Sequence, residues 1–146
     1  MGDRIAEAKE RLKKYRAVKT SLVTISQEIK RLELEYQRIR SSRTDGTHVK
    51  GGGSGREDAL LNNLVKRQEL TLALEQAKLW IKATDQAMAV LDEEKQLVLQ
   101  RIYINPAKGA IGALCKDLKR DRSSIYRRRD EALHTFTIAL YGATET

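Results

Sequence analysis

The chain has few of the residues that build catalytic, metal or disulfide sites. Its one cysteine, Cys115, excludes an intramolecular disulfide, and nothing indicates an oxidising compartment. Its two histidines are His48, in a Gly-rich stretch, and His134, in a helical pattern. This scatter of Cys and His favours neither a zinc site nor a Cys–His catalytic pair. We therefore expect no catalytic residues, no metal, no cofactor and no enzymatic activity.

Long apolar runs are also missing. No run approaches the ~18 residues that a membrane-spanning helix needs. The first residues, Met-Gly-Asp-Arg-Ile-Ala-Glu, lack the apolar region of a signal peptide. The sequence thus predicts a soluble cytoplasmic protein with no membrane partner.

Proline and aromatic residues are scarce, whereas charge is abundant. There is one proline, aromatic residues make up 5% of the chain, and charged residues make up 33%. This composition suits long exposed helices better than a thick globular core. The net charge of +8 favours a polyanionic partner.

The first forty residues repeat apolar side chains every three or four positions, from Ile5 to Ile39. This spacing is typical of a coiled-coil seam, and it predicts one long helix over residues 1–40 that serves in oligomerisation or packing. Basic residues outnumber acidic ones in it. A nucleic-acid-binding basic region is less favoured because apolar residues run through the whole segment.

Residues 41–56 read as a flexible linker of Ser, Thr and Gly, and we leave open whether the Gly-rich part is native. A second long helix is predicted over residues 57–91, folding back on the first as a hairpin or joining an intermolecular bundle. Leu61, Val65, Leu72 and Leu79 widen its apolar face. The candidate oligomerisation residues are Leu12, Leu22, Ile25, Ile29, Leu32, Tyr36, Leu64, Leu74 and Ile81.

Residues 92–142 have a different pattern, which predicts three shorter helices, and residues 143–146 are a tail. The first runs from Asp92 to about Ile104, before Asn105-Pro106. The second covers residues 110–118. After a turn at residues 119–121, the third runs from Arg122 to about Leu140 and stops at Gly142. We find no strand and predict an all-α fold: a long helical hairpin or coiled coil followed by a C-terminal helix-turn-helix domain.

The last two predicted helices have the spacing of a helix-turn-helix. Leu114 and Leu118 point inward, Cys115 is a small residue at the helix crossing, and Asp121 can cap the final helix. Ile125 lies four residues beyond Asp121 and joins the core. The opposite face is strongly basic, since residues 116–129 contain seven basic and two acidic residues.

We interpret this face as a DNA-binding surface. Affinity would come from phosphate contacts by Lys116, Lys119, Arg120 and Arg129. Base edges would be approached by Arg122, Ser123, Ser124, Tyr126 and Arg127. Of the three successive arginines, Arg128 is expected to turn toward the DNA backbone or the N-terminal helices.

The stretch from Asp121 to Arg127, with Leu114-Cys115 before it and Ala132-Leu133 after it, resembles region 4 of sigma factors. The chain as a whole looks like the RinA/ArpU-type late-gene regulators of phages and prophages of Gram-positive bacteria. That resemblance depends on residues 91–103, 125–133 and 136–142. It implies an oligomer that binds a promoter, activates packaging and lysis genes, and associates with the host nucleoid.

The sequence departs from that pattern at the turn. Lys119 stands where the turn usually has Gly, so it either adopts a positive φ or belongs to a different turn. Two other functions stay open. One is a small-terminase-like DNA-packaging subunit that forms a ring. The other is a helical adaptor that contacts a protein such as RNA polymerase, with the basic helix as surface only.

Overall fold

The computed structural model describes residues 2–42 and 52–142, and all its regular elements are helices. The all-α prediction is therefore confirmed. The predicted tail, His48 and most of the predicted linker lie outside the described residues. The helices are α1 (Gly2–Ser41), α2 (Gly52–Ala89), α3 (Glu93–Leu99), a π-helix (Gln100–Ile104), α4 (Ala110–Leu118) and α5 (Arg122–Tyr141).

Helix α2 begins earlier than expected. It starts at Gly52, whereas the sequence predicts a start near Glu57, where acidic residues suit the positive end of the helix dipole. Each glycine in the added turn costs the helix about 1 kcal/mol relative to Ala. A long-range contact offsets part of that cost, since the Arg56 guanidinium donates a hydrogen bond to the Arg40 carbonyl at the end of α1. No local pattern in the sequence indicates this contact.

The residues group into two units, and both long helices contribute to each. The hairpin unit, Thr20–Lys78, contains the end of α1 and most of α2. The two helices run antiparallel in it: Arg56 contacts Arg40, and seven residues further along α2 Asn63 Nδ2 donates at 2.9 Å to the carbonyl of Leu32, which lies earlier on α1. The Arg67 guanidinium lies 4.9 Å from the centre of the Tyr36 ring and donates to Asn63 Oδ1. A buried amide and a stacked arginine thus fix the register of this pair.

The C-terminal unit comprises Met1–Lys19 and Leu79–Thr146 and holds the main apolar core. Ala8 and Leu12 of α1 enter this core beside residues from the other helices: Ala87, Met88, Leu91, Leu99, Tyr103, Ile104, Ala132, Leu133 and Phe136. Arg11 Nε donates to the buried Thr84 hydroxyl at 2.8 Å. The start of α1 is therefore an integral part of the C-terminal unit.

A tyrosine–carboxylate contact ties α1 to α2 within this unit. Tyr15 donates its hydroxyl to Asp85 Oδ1 at 2.6 Å. Burial, and then the hydrogen bond to the carboxylate, raises the pKa of Tyr15 to about 12. Both effects disfavour the phenolate, so the hydroxyl remains a donor throughout the neutral range.

Three of the predicted oligomerisation residues are buried inside the chain itself, which corrects that assignment. Leu12, Leu32 and Ile81 are at most 8% exposed, because the hairpin and the C-terminal core cover them. They cannot also face a second copy. Leu22, Ile25, Ile29, Tyr36 and Leu74 are half-buried, and Leu64 is exposed.

Helix α3 begins as the sequence predicts, but the expected single helix over residues 92–104 changes type midway. Asp92 caps α3, its Oδ1 accepting the Lys95 N–H at 2.8 Å. From Gln100 the chain forms a π-helix, closed by the Asn105 N–H to the Gln100 carbonyl at 2.7 Å. The wider turn buries Tyr103 and Ile104 side by side in the main core.

A second, smaller core joins α3, α4 and α5. It consists of Val98, Leu114 and Ile125, each fully buried. Leu97, Ile102, Ile111, Cys115 and Leu118 pack around it. Leu114 and Ile125 thus take the inward positions that the helix-turn-helix spacing predicts, and Cys115 is a partly buried packing residue.

The turn between α4 and α5 strains one residue. Lys119 ends α4 with φ +54° and ψ +47°. Of the two alternatives that the sequence leaves open here, a positive φ or a different turn, the chain therefore adopts the positive φ. A non-Gly residue pays roughly 1–2 kcal/mol in that region. We expect Lys119→Gly to raise the free energy of unfolding by about 1 kcal/mol, measured by urea denaturation. Lys119→Ala removes the same charge without relieving φ, so an equal gain in both variants would contradict the explanation.

Candidate nucleic-acid interface

The N-terminus of α5 is held by a side-chain cap. Asp121 has extended backbone, and its Oδ1 accepts the Ser124 N–H at 2.8 Å. Ser123 donates its hydroxyl to the same oxygen at 3.3 Å. This is the cap that the sequence predicts, and such a cap contributes about 1 kcal/mol to helix stability.

Core packing fixes the rotation of α5 about its axis. Ile125 enters the smaller core, and Ala132, Leu133 and Phe136 enter the main core. The side of α5 turned to solvent at its N-terminal half then carries Arg122, Ser123, Tyr126 and Arg127, all exposed. At 100° per residue these four positions cover a sector of about 140°. One contiguous polar face results, with two arginines, a hydroxyl and a tyrosine.

Two lysines extend this face across the turn. Lys116, near the end of α4, and Lys119, in the turn, are both exposed. Within residues 2–42 and 52–142, neither forms an ion pair, and neither do Arg122 and Arg127. The face therefore keeps four uncompensated positive charges, the arrangement that attracts a polyanion.

Arg120, predicted to contact a phosphate, and Arg128, predicted to turn toward the DNA backbone or the N-terminal helices, both lie against α3. The Arg120 guanidinium grips the Glu94 carboxylate with two nitrogens, the Nη2–Oε2 distance being 3.4 Å. Arg128 Nε lies 3.7 Å from Glu94 Oε1. The phosphate contact predicted for Arg120 is thus corrected, since its donors are engaged by a carboxylate in a half-buried position. Arg128 leaves the DNA-facing sector, as expected, but toward α3 rather than the long helices.

Arg129 contacts two neighbouring side chains, Asp130 and Tyr126. Its guanidinium binds the Asp130 carboxylate at 3.0 Å and lies 5.0 Å from the centre of the Tyr126 ring. A cation over the ring restricts where Tyr126 can point. The expected phosphate contact from Arg129 competes with this pairing, so the residue is better described as positioning Tyr126.

A small recess opens beside the exposed face. Its volume is about 270 Å³, and it is lined by Arg120, Ser124, Arg127, Arg128 and Glu131. Ser124, predicted to approach base edges, is half-buried at this recess rather than on the outermost face. Of the three arginines that line the recess, Arg120 and Arg128 pair with Glu94, so Arg127 is the one without an ion-pair partner among the described residues.

Sequence reasoning missed the carboxylates that control these arginines. Glu94, in the first turn of α3, holds Arg120 from 26 residues away. Asp117 likewise forms an ion pair with Arg101 on the π-helix. Neither pair has a local sequence signal, because each joins positions that only the tertiary packing of α3, α4 and α5 brings together.

The described part of the chain offers no other obvious chemistry. Across residues 2–42 and 52–142 no group of three His, Cys, Asp or Glu is placed to hold a metal ion. None of the helices in those ranges combines the length and the apolar character needed to cross a membrane. No protein-family model, curated protein or solved structure matches the chain.

Proposed function

We propose that this protein is a sequence-specific DNA-binding transcriptional regulator. The observation that carries the proposal is the exposed face of α5. Asp121 caps this helix, and packing in two apolar cores sets its orientation about its own axis. As a result α5 presents Arg122, Ser123, Tyr126 and Arg127 on one side. A capped second helix with such a face is the element that helix-turn-helix proteins insert into the major groove.

The residues divide into two roles. Arg122 and Arg127 can each fork onto a guanine, and Ser123 and Tyr126 can contact a base edge or a phosphate. Lys116 and Lys119 stand outside α5 and suit the flanking phosphates. The free N–H groups of the first turn of α5 add a partial positive charge for one more phosphate.

The resemblance to phage late-gene regulators extends the proposal. By that resemblance, the protein would be an oligomeric activator that binds promoters of packaging and lysis genes in a bacterial host. Two copies on repeated half-sites would bind with an increased effective concentration, which raises affinity without any new base contact.

The test is a selection from random DNA. Duplexes that the full chain retains are sequenced, and the consensus is labelled for fluorescence anisotropy beside a scrambled duplex of equal length and composition. Both are titrated at several salt concentrations. We expect a consensus that binds at least ~10³-fold more tightly than the scramble.

The salt series separates this function from the alternatives. Phosphate contacts make both affinities fall as salt rises, but the ratio between consensus and scramble persists when bases are read. If no consensus emerges and both duplexes bind equally, the arginines act only as charge. That result would overturn the proposal in favour of a packaging subunit or a protein adaptor.

A further inference from the structure

An apolar stripe on α2 in the hairpin unit has no partner within that unit. Leu61, Val65 and Leu72 are 58%, 43% and 61% exposed. At 100° per residue they lie within about 40° of one another on the helix surface. The same rotation places them roughly 160–200° from Asn63, whose buried amide marks the side that faces α1. The stripe therefore points away from the hairpin seam.

Carboxylates line both edges of this stripe. Glu57, Asp58, Glu69 and Glu75 are exposed and lie within about 60° of its centre. Lys66 and Lys78 lie about 120° away, toward α1. The pair between Glu75 and Lys78, at 3.4 Å, is largely exposed and compensates little of this charge. On a chain of net charge +8, this is a locally acidic apolar surface.

The outer face of α1 in the same unit has the opposite charge. Val23 and Leu34 are 59% and 65% exposed and point away from the buried Leu32. Lys30 and Arg38 are exposed beside them. A groove of about 460 Å³ adjoins this face, lined by Lys30, Glu33, Leu34, Tyr36, Gln37 and Arg67. The α1 face thus carries two exposed apolar side chains with basic residues around them.

We propose that the acidic-edged stripe of α2 packs on the basic-edged outer face of α1 of a second copy of this chain. Charge complementarity favours this pairing over the two symmetric ones. Pairing two α2 stripes would bring Glu69 and Glu75 against like charges, and pairing two α1 faces would do the same with Lys30 and Arg38. Pairing α2 with α1 joins opposite charges and covers the apolar stripe of α2 together with Val23 and Leu34 of α1.

The association is therefore head-to-tail. Each copy offers one α2 stripe and one α1 face, so a pair leaves one of each unoccupied, and further copies add until a ring closes or a filament grows. This interface differs from the predicted one, because it uses none of the buried residues Leu12, Leu32 and Ile81. It is independent of the proposed DNA binding and is tested without DNA.

The experiment uses two single variants of the full chain, Leu72→Glu on α2 and Leu34→Glu on α1. Both side chains are more than 60% exposed, so the fold should persist, which circular dichroism checks. Val90→Glu, 62% exposed and outside both surfaces, is the control. Masses are measured by sedimentation velocity and native mass spectrometry at low and high salt.

We expect the wild type and Val90→Glu to form assemblies larger than dimers. Each of the other variants should be monomeric, with self-association weakened at least ~100-fold. Their equimolar mixture should form a dimer and nothing larger, because only the α2 stripe of Leu34→Glu and the α1 face of Leu72→Glu remain intact. A monomeric wild type would overturn the proposal. So would a Leu34→Glu variant that still assembles, or a mixture that stays monomeric.

Discussion

Leu12→Ala is expected to lower the free energy of unfolding by about 2–5 kcal/mol, the range for truncating a fully buried leucine. Leu12 is 0% exposed and packs in the main core with residues of α2, α3 and α5. The substitution removes apolar contacts and leaves a cavity that the surrounding helices fill only in part. Because total stability is of the order of 5–15 kcal/mol, the loss is large.

The measurement is urea denaturation followed by circular dichroism, at two protein concentrations tenfold apart. Leu79→Ala is the matched control: it makes the same chemical change on a helix of the same unit, at a side chain 66% exposed. The control should change stability by less than about 0.5 kcal/mol. If the loss in Leu12→Ala depended on protein concentration, Leu12 would belong to an interface between copies and the intramolecular core would be the wrong explanation.

The sequence predicts those features of this fold whose causes are local. Asp92 and Asp121 each precede a helix, and both act as side-chain caps. Gly142 follows the last helix with φ +93°, a conformation that glycine adopts without strain. The inward positions Leu114 and Ile125 follow from helical spacing alone. Helix caps, helix ends and apolar periodicity depend only on residues close together in the chain, so they can be predicted from one sequence.

Features that depend on distant partners could not be predicted. The heptad spacing of α1 predicts a packing surface, but that spacing is the same whether the neighbour is α2 or a second copy. Spacing alone therefore cannot show that Leu12 packs inside the chain rather than in an oligomer interface. Likewise, a run of arginines does not show that Glu94 holds Arg120. The candidate DNA face is thus narrower than the basic segment: packing leaves Arg122 and Arg127 exposed and draws Arg120 and Arg128 toward α3.

Arg127→Ala is expected to reduce the preference for the selected duplex over its scramble by about 1–3 kcal/mol, the value of one bidentate arginine–guanine contact. Arg127 is exposed, forms no ion pair within the described residues, and follows Tyr126 on the face set by Ile125. The loss should appear in binding to the selected duplex, whereas binding to the scramble should weaken only as far as one positive charge requires. Anisotropy titrations of both duplexes give the two affinities.

Two further variants separate recognition from charge. Arg127→Lys keeps the positive charge but loses the planar fork that binds two guanine acceptors at once, so it should lose most of the part of the preference that Arg127 contributes, while its salt dependence stays near wild type. Arg16→Ala removes one exposed positive charge from α1, outside the proposed face, and should leave the preference intact. Should Arg127→Lys discriminate as well as the wild type, Arg127 would contact a phosphate. The reading of bases would then rest on Arg122, which lies five residues earlier on α5, at the other edge of the same exposed sector.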